Sequence, residues 1–251
     1  MNKLIIANLK MNFSLSEVTE FCESIIEQNI ESEVILAIPA PYLAYLANKF
    51  VTIKFSSQNI SEFNNFGAYT GEYSATMLKS CDVNYALIGH SERRIHSQES
   101  DEIIATKLKH CLNSNVIPII CIGESAEIRE NADYKQYILQ QLSVVLPVKA
   151  LYPNVEIIIA YEPLWSIGTN IVMNKAQLTE IFAIIRSSID LFIIQNRIAI
   201  TANLVYGGSV NLDNMQEFMS VEQLSGLLIG RSALNPHTLF QIVKHTKCSF
   251  L

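Results

Sequence analysis

The chain has 251 residues and carries 18 Lys plus Arg against 24 Asp plus Glu, a formal charge of −6. With 49% hydrophobic and 17% charged residues it is too apolar for a disordered segment, and no apolar run approaches the roughly 18 residues of a membrane span. The acidic balance argues against general affinity for nucleic acid or anionic membranes, so an anionic ligand has to be held by local groups.

At the start of the chain Leu4-Ile5-Ile6-Ala7 is too short for a signal-peptide core and runs at once into polar Asn8 and Lys10, the expectation for a cytoplasmic protein. The same residues open a series of apolar, β-branched runs at 4–7, 34–38, 51–55, 85–88, 116–122, 157–160, 204–206 and 227–229. Runs without alternation suit parallel strands buried on both faces. Eight of them in 251 residues give about 31 residues per repeat, room for one strand and one returning helix. Between the runs the pattern is helical. Ser14 and Glu17 form a capping box ahead of Val18, Phe21 and Ile25. Pro41 suits the first turn of a second helix, and residues 175–195 carry an apolar stripe through Leu178, Phe182, Ile185 and Ile189. No Ser/Gly/Pro-rich linker divides the chain, which reads as one α/β domain over residues 1–251. Eight repeats suggest closure into a (β/α)8 barrel, although an open doubly wound sheet gives a similar string. The five cysteines (Cys22, Cys81, Cys111, Cys121 and Cys248) are odd in number and lack a C-x-x-C pair, which points to reduced thiols; metal-binding motifs are absent.

Chemistry-bearing residues follow the strands, where the loops of such a barrel build its active site. Glu162 ends the sixth run and precedes Pro163, which biases it towards an extended exit from the strand. A carboxylate set against apolar neighbours resists ionisation and suits a general base. Taken alone it also reads as a strand-end Glu salt-bridged to a helix. His90 follows Gly89 and opens a polar helix start, where the positive dipole end favours neutral imidazole; a structural histidine is the alternative. Lys10, after the first run, reads as an anion-attracting group, a Schiff-base amine or a solvated lysine. Gly207-Gly208-Ser209 and Gly230 follow the seventh and eighth runs, a recurrent phosphate site in this architecture. Residues 163–169, with Pro163 at one end, Gly168 near the other and Trp165 between, have the composition of a lid.

Several blocks in one order carry a resemblance: residues 8–12, Gln58-Asn59, 67–72, 89–94, Cys121-Ile122-Gly123-Glu124, 160–169 and 206–210. Over essentially the whole chain they resemble triosephosphate isomerase. The resemblance implies a single (β/α)8 TIM barrel that interconverts dihydroxyacetone phosphate and D-glyceraldehyde 3-phosphate without metal or cofactor, in glycolysis, gluconeogenesis and the pentose phosphate shunt. It implies Glu162 as the base, His90 as the neutral electrophile, and Lys10 with Asn8 as the groups that stabilise the enediolate. Ser91 and Glu92 support the site, and Gly168, Ser209, Gly230 and the peptide N–H of Arg231 cradle the phosphate. A homodimer is implied as well, with residues 64–72 entering the neighbouring subunit's site and Thr70 close to its Lys10 or Asn8. Three positions depart from the family pattern: Leu9 stands where Trp is usual, Asn170 where the lid has its last glycine, and Arg231 where the eighth strand has its second glycine. At Arg231 close approach of the peptide leaves little room, so the guanidinium is expected to point outward and to contribute little to binding. Two other readings share these residues, a phosphosugar-binding barrel without catalysis and a Schiff-base aldolase working through Lys10.

Overall fold

The structure, a computed structural model, describes residues 3–31, 34–63, 66–131, 133–152, 156–167, 169 and 171–248. The first half of the chain runs β1 (Leu4–Asn8), α1 (Leu15–Glu27), β2 (Val34–Ile38), α2 (Ala40–Lys49), β3 (Lys54–Ser57), α3 (Ala75–Ser80), β4 (Tyr85–Ile88), α4 (Ser91–His96) and α5 (Asp101–Asn113). The second runs β5 (Ile117–Ile122), α6 (Ala126–Asn131), α7 (Tyr134–Ala150), β6 (Ile157–Tyr161), α8 (Lys175–Asn196), β7 (Ala202–Tyr206), α9 (Met215–Met219), β8 (Gly226–Ile229) and α10 (Pro236–Cys248). Short 3₁₀ turns occupy Leu164–Ser166 and Arg231–Leu234. Every strand pairs in parallel with its sequence neighbour, and β1 closes the ring on β8 from Leu4 opposite Gly226 to Ala7 opposite Ile229. The (β/α)8 barrel is therefore closed, and the open-sheet alternative falls.

Two cores follow from the two-residue period of a strand. Ile6, Ile35, Ala37, Leu87, Ile119, Cys121, Ile158, Ala160, Val205 and Leu228 fill the barrel interior. Their strand neighbours, among them Ile5, Leu36, Ile120, Ile159 and Tyr206, face the helices in a larger outer core. This double burial is why the runs read as continuously apolar. The capping box at Ser14 forms with both of its hydrogen bonds, and Leu178, Phe182, Ile185 and Ile189 of α8 are all buried.

The third strand lies later than the apolar run at 51–55 suggests. The Phe50 N–H closes α2 on the Leu46 carbonyl and Ile53 turns back to Phe50, which leaves Val51 exposed on a turn. The strand instead continues through Ser56 and Ser57, both fully buried. Small hydroxyl side chains fit a crowded interior, so apolarity stops being a guide there.

Phe182 is fully buried and meets Tyr161 edge-on, with ring centroids 6.5 Å apart. Phe182→Ala should cost about 3–5 kcal/mol of stability through lost contact and a residual cavity, measured by urea unfolding.

Candidate active site

In β6 Ile158 and Ala160 face the barrel axis, and the same period carries Glu162 to that side one residue beyond the strand. Its N–H donates to the Ile122 carbonyl at 2.7 Å, which extends the β5–β6 ladder, and the residue is 2% exposed. Behind it lies Gly123, where an added Cβ would stand 1.8 Å from the Glu162 carbonyl oxygen. Only glycine allows this approach. Buried Gln141 holds Gly123 from the other side, accepting from its N–H at 2.9 Å and donating to its carbonyl at 3.3 Å.

His90 arrives by a different route. Gly89 has φ +67°, a left-handed conformation, and a Cβ there would stand 2.7 Å from the Ile104 side chain. Arg94 fixes this turn by donating to the Gly89 carbonyl at 3.0 Å while its guanidinium pairs with Asp101 at 2.7 Å. His90 then caps α4. Its Nδ1 accepts from the Glu92 N–H at 3.2 Å, so Nδ1 carries no proton and the ring proton sits on Nε2. That Nε2 lies 3.2 Å from Glu162 Oε1, while the Ser91 N–H donates to Glu162 Oε2 at 3.1 Å. Both oxygens of the buried carboxylate thus have a partner.

Lys10 has φ +52°, unusual for a side chain with a Cβ and costing about 1 kcal/mol or more. The surroundings hold it there. Its N–H donates to Asn8 Oδ1 at 3.0 Å, and Gln58 donates to its carbonyl at 2.9 Å and to that of Ala37 at 3.0 Å. The ammonium pairs with Glu92 Oε1 at 2.6 Å. Burial disfavours the charge on Glu92, but the hydrogen bond and charge of Lys10 outweigh it and hold this carboxyl below the ordinary value. A lowered pKa preserves the pair at neutral pH and loses it only as pH falls through that lowered value.

These side chains open on a cavity of about 470 Å³ at the C-terminal ends of the strands, lined among others by Asn8, Lys10, His90, Glu92, Glu162, Ser209, Gly230 and Arg231. Ile167 and Thr169 bring the 163–169 segment to its edge. That segment is anchored on Glu124, a fully buried carboxylate. Its Oε1 accepts from Tyr161 OH and Trp165 Nε1, each at 2.9 Å, and pairs with Arg129 at 3.1 Å. Burial, then the Glu124 charge, push the Tyr161 phenol far up, so it stays protonated and donating. On the opposite side Ser209 Oγ donates to the Ser166 carbonyl at 2.5 Å. Cys121, facing the barrel axis, is held as a thiol by burial and by the Glu162 charge.

The structure brings seven sequence-predicted residues, Asn8, Lys10, His90, Glu162, Ser209, Gly230 and Arg231, to the one cavity. Glu92 lines it as well, and Ser91 touches it through Glu162. Thr70 is exposed on the 66–73 segment, away from the cavity lining, and Gly168 lies outside the described residues, as do Asn170, Asn64 and Asn65. Three contributors were missed as site residues: Gln58, Gly123 and Glu124. Each follows a strand at this end of the barrel, a signal that their position already carried.

Fold and cavity together define a barrel enzyme equipped for acid–base chemistry, with a carboxylate and an imidazole facing each other beside an ammonium group. Comparison narrows the class. The family model described as Triosephosphate isomerase matches residues 3–246. A triosephosphate isomerase of Orientia tsutsugamushi (strain Boryong) is 40% identical over 249 residues, covering 97% of this chain and 98% of the relative. One of Francisella philomiragia is 37% identical over 247 residues, covering 97% and 96%. The chain belongs to the triosephosphate isomerase family.

Nitrogen-15 spectra of labelled imidazole should show His90 protonated on Nε2 alone at pH 7. A doubly protonated ring at that pH would contradict the hydrogen-bond assignment.

Proposed function

We propose that this chain interconverts dihydroxyacetone phosphate and D-glyceraldehyde 3-phosphate through an enediolate, with Glu162 as base, His90 as electrophile, and Lys10 and Asn8 holding the developing oxyanion. The observation that carries the reading is the 3.2 Å approach of His90 Nε2 to Glu162 Oε1 at a cavity that Lys10 also lines. Glu162 takes a proton from the carbon beside the carbonyl as His90 donates Nε2–H to the carbonyl oxygen. The same carboxylic acid returns the proton to the neighbouring carbon. The carbon proton passes to the carboxylate and back to carbon, while the hydroxyl proton crosses from one oxygen to the other by way of His90 Nε2, so the scheme balances without an electron acceptor. Charge is created at the oxygens, where fixed donors lower the barrier most.

The phosphate takes no part in bond making; it supplies binding energy that orients the carbon acid. In this reading the peptide N–H groups of Gly168, Ser209, Gly230 and Arg231 receive it, and residues 163–169 close over it. The Ser209–Ser166 and Trp165–Glu124 hydrogen bonds hold this segment to its neighbours. Closure excludes water and keeps the enediolate in plane, a geometry that prevents loss of phosphate. Ser91 and Glu92 position the base and Lys10.

Glu162→Gln keeps the volume and one acceptor oxygen but cannot take the proton. Its kcat for glyceraldehyde 3-phosphate should fall by about 10²–10⁴-fold with an unchanged circular dichroism spectrum. Turnover within a few-fold of the parent would remove Glu162 from the mechanism.

The reading extends to a single-domain cytoplasmic enzyme working in glycolysis and gluconeogenesis as a two-fold dimer. Phe66 is 71% exposed, and Tyr69, itself 43% exposed, stacks on Phe63 with centroids 4.1 Å apart, an apolar loop suited to an interface. Thr70 would then reach the neighbouring subunit's Lys10 or Asn8. Sedimentation at micromolar concentration should give a dimer; an active monomer would count against it.

A further inference from the structure

We propose that Arg231 is an affinity-determining residue for the phosphate dianion, its guanidinium supplying positive charge that the other ionised groups of the cavity do not. The inference rests on the reading of this cavity as a triose phosphate site. It also departs from the expectation that the side chain points away without effect.

The charges around the cavity carry the argument. Lys10 and Arg231 are the cations among its described lining residues, and Glu92 and Glu162 the carboxylates. Lys10 is already paired with Glu92 at 2.6 Å, and His90 accepts a peptide N–H on Nδ1 and so adds no charge. Without Arg231 the lining is net negative, inside a chain that is itself at −6. A dianion would enter against both. Arg231 is exposed and has no hydrogen bond or ion pair to any described residue, so its charge is not spent within the protein.

Position supports the same conclusion. A Cβ built on Gly230 would lie 3.9 Å from Lys10 Nζ, so the peptide leading into Arg231 stands beside the site ammonium. Ser232 Oγ donates to the Val210 carbonyl at 2.6 Å and ties the Arg231 turn to the loop that carries Ser209. The steric objection concerns the inner side, where the peptide approaches the ligand. Arg231 lines the cavity and is exposed, so its side chain is not confined to that inner side. The planar guanidinium offers two parallel N–H groups to a pair of phosphate oxygens, a match that Lys cannot reproduce.

The test compares the parent chain with R231Q and R231K. Three quantities are measured at low and at physiological ionic strength: the dissociation constant of inorganic phosphate by calorimetry, kcat and KM for glyceraldehyde 3-phosphate, and kcat/KM for unphosphorylated glyceraldehyde. In R231Q phosphate binding should weaken, and KM for the phosphorylated substrate rise, by about fivefold or more at low salt. The effect should shrink at 0.15 M, where the screening length is about 8 Å. The loss of kcat/KM should be larger for the phosphorylated substrate than for glyceraldehyde, and R231K should recover part of it through charge alone. Unchanged phosphate affinity in R231Q would overturn the proposal. So would an equal loss on glyceraldehyde, the mark of a structural disturbance. Failure of the isomerase reading would appear separately, as a parent chain that does not turn over triose phosphate while the phosphate dissociation constants still decide the role of Arg231.

Discussion

Closure of the sheet on itself is the constraint from which the rest of the molecule follows. Pairing of β1 with β8 leaves no unsatisfied strand edge, and it sends all eight strand exits to one mouth. Asn8 and Arg231, 223 positions apart in the chain, thereby share one cavity lining. The interior below them is packed with branched side chains, so polar groups at the rim have a rigid floor and cannot sink.

That floor makes burial of charge expensive, and the rim is organised around the cost. Glu162 and Glu124 are almost inaccessible to water, and each is met by donors chosen for direction. Glu162 receives a peptide N–H and an imidazole, groups that a ligand can displace. Glu124 receives a phenol, an indole and a guanidinium, all three on Oε1, and they hold that carboxylate in one place. The two carboxylates stand at successive strand exits, one poised for exchange and the other for anchorage.

Much of this was legible beforehand because parallel strands announce themselves as unbroken apolar runs, and because strand ends mark where function gathers. Seven of the eight runs lie within a residue or two of their strands. The exception, at 51–55, fails where buried serines replace aliphatics, since hydropathy cannot distinguish a hydroxyl that fits a tight interior from one in a loop. Glu162, His90 and Lys10 stood out by residue type and place. Gln58, Gly123 and Glu124 share that place after a strand, but their parts depend on approaches that no local pattern encodes: a carbonyl 1.8 Å from a missing Cβ, or an indole from another loop reaching a buried acid. The left-handed backbone of Lys10 was equally hidden, because nothing about lysine advertises that dihedral.

The Trp165–Glu124 hydrogen bond has an optical consequence. Trp165 is the one tryptophan in 251 residues, and its ring also lies 5.3 Å from the Arg129 guanidinium. A single indole between a carboxylate and a cation experiences a strong local field, to which its emission wavelength responds. Any rearrangement that parts the indole from Glu124 changes that field at the sole red-edge fluorophore of the chain, so the segment over the cavity carries its own reporter of whether it is latched.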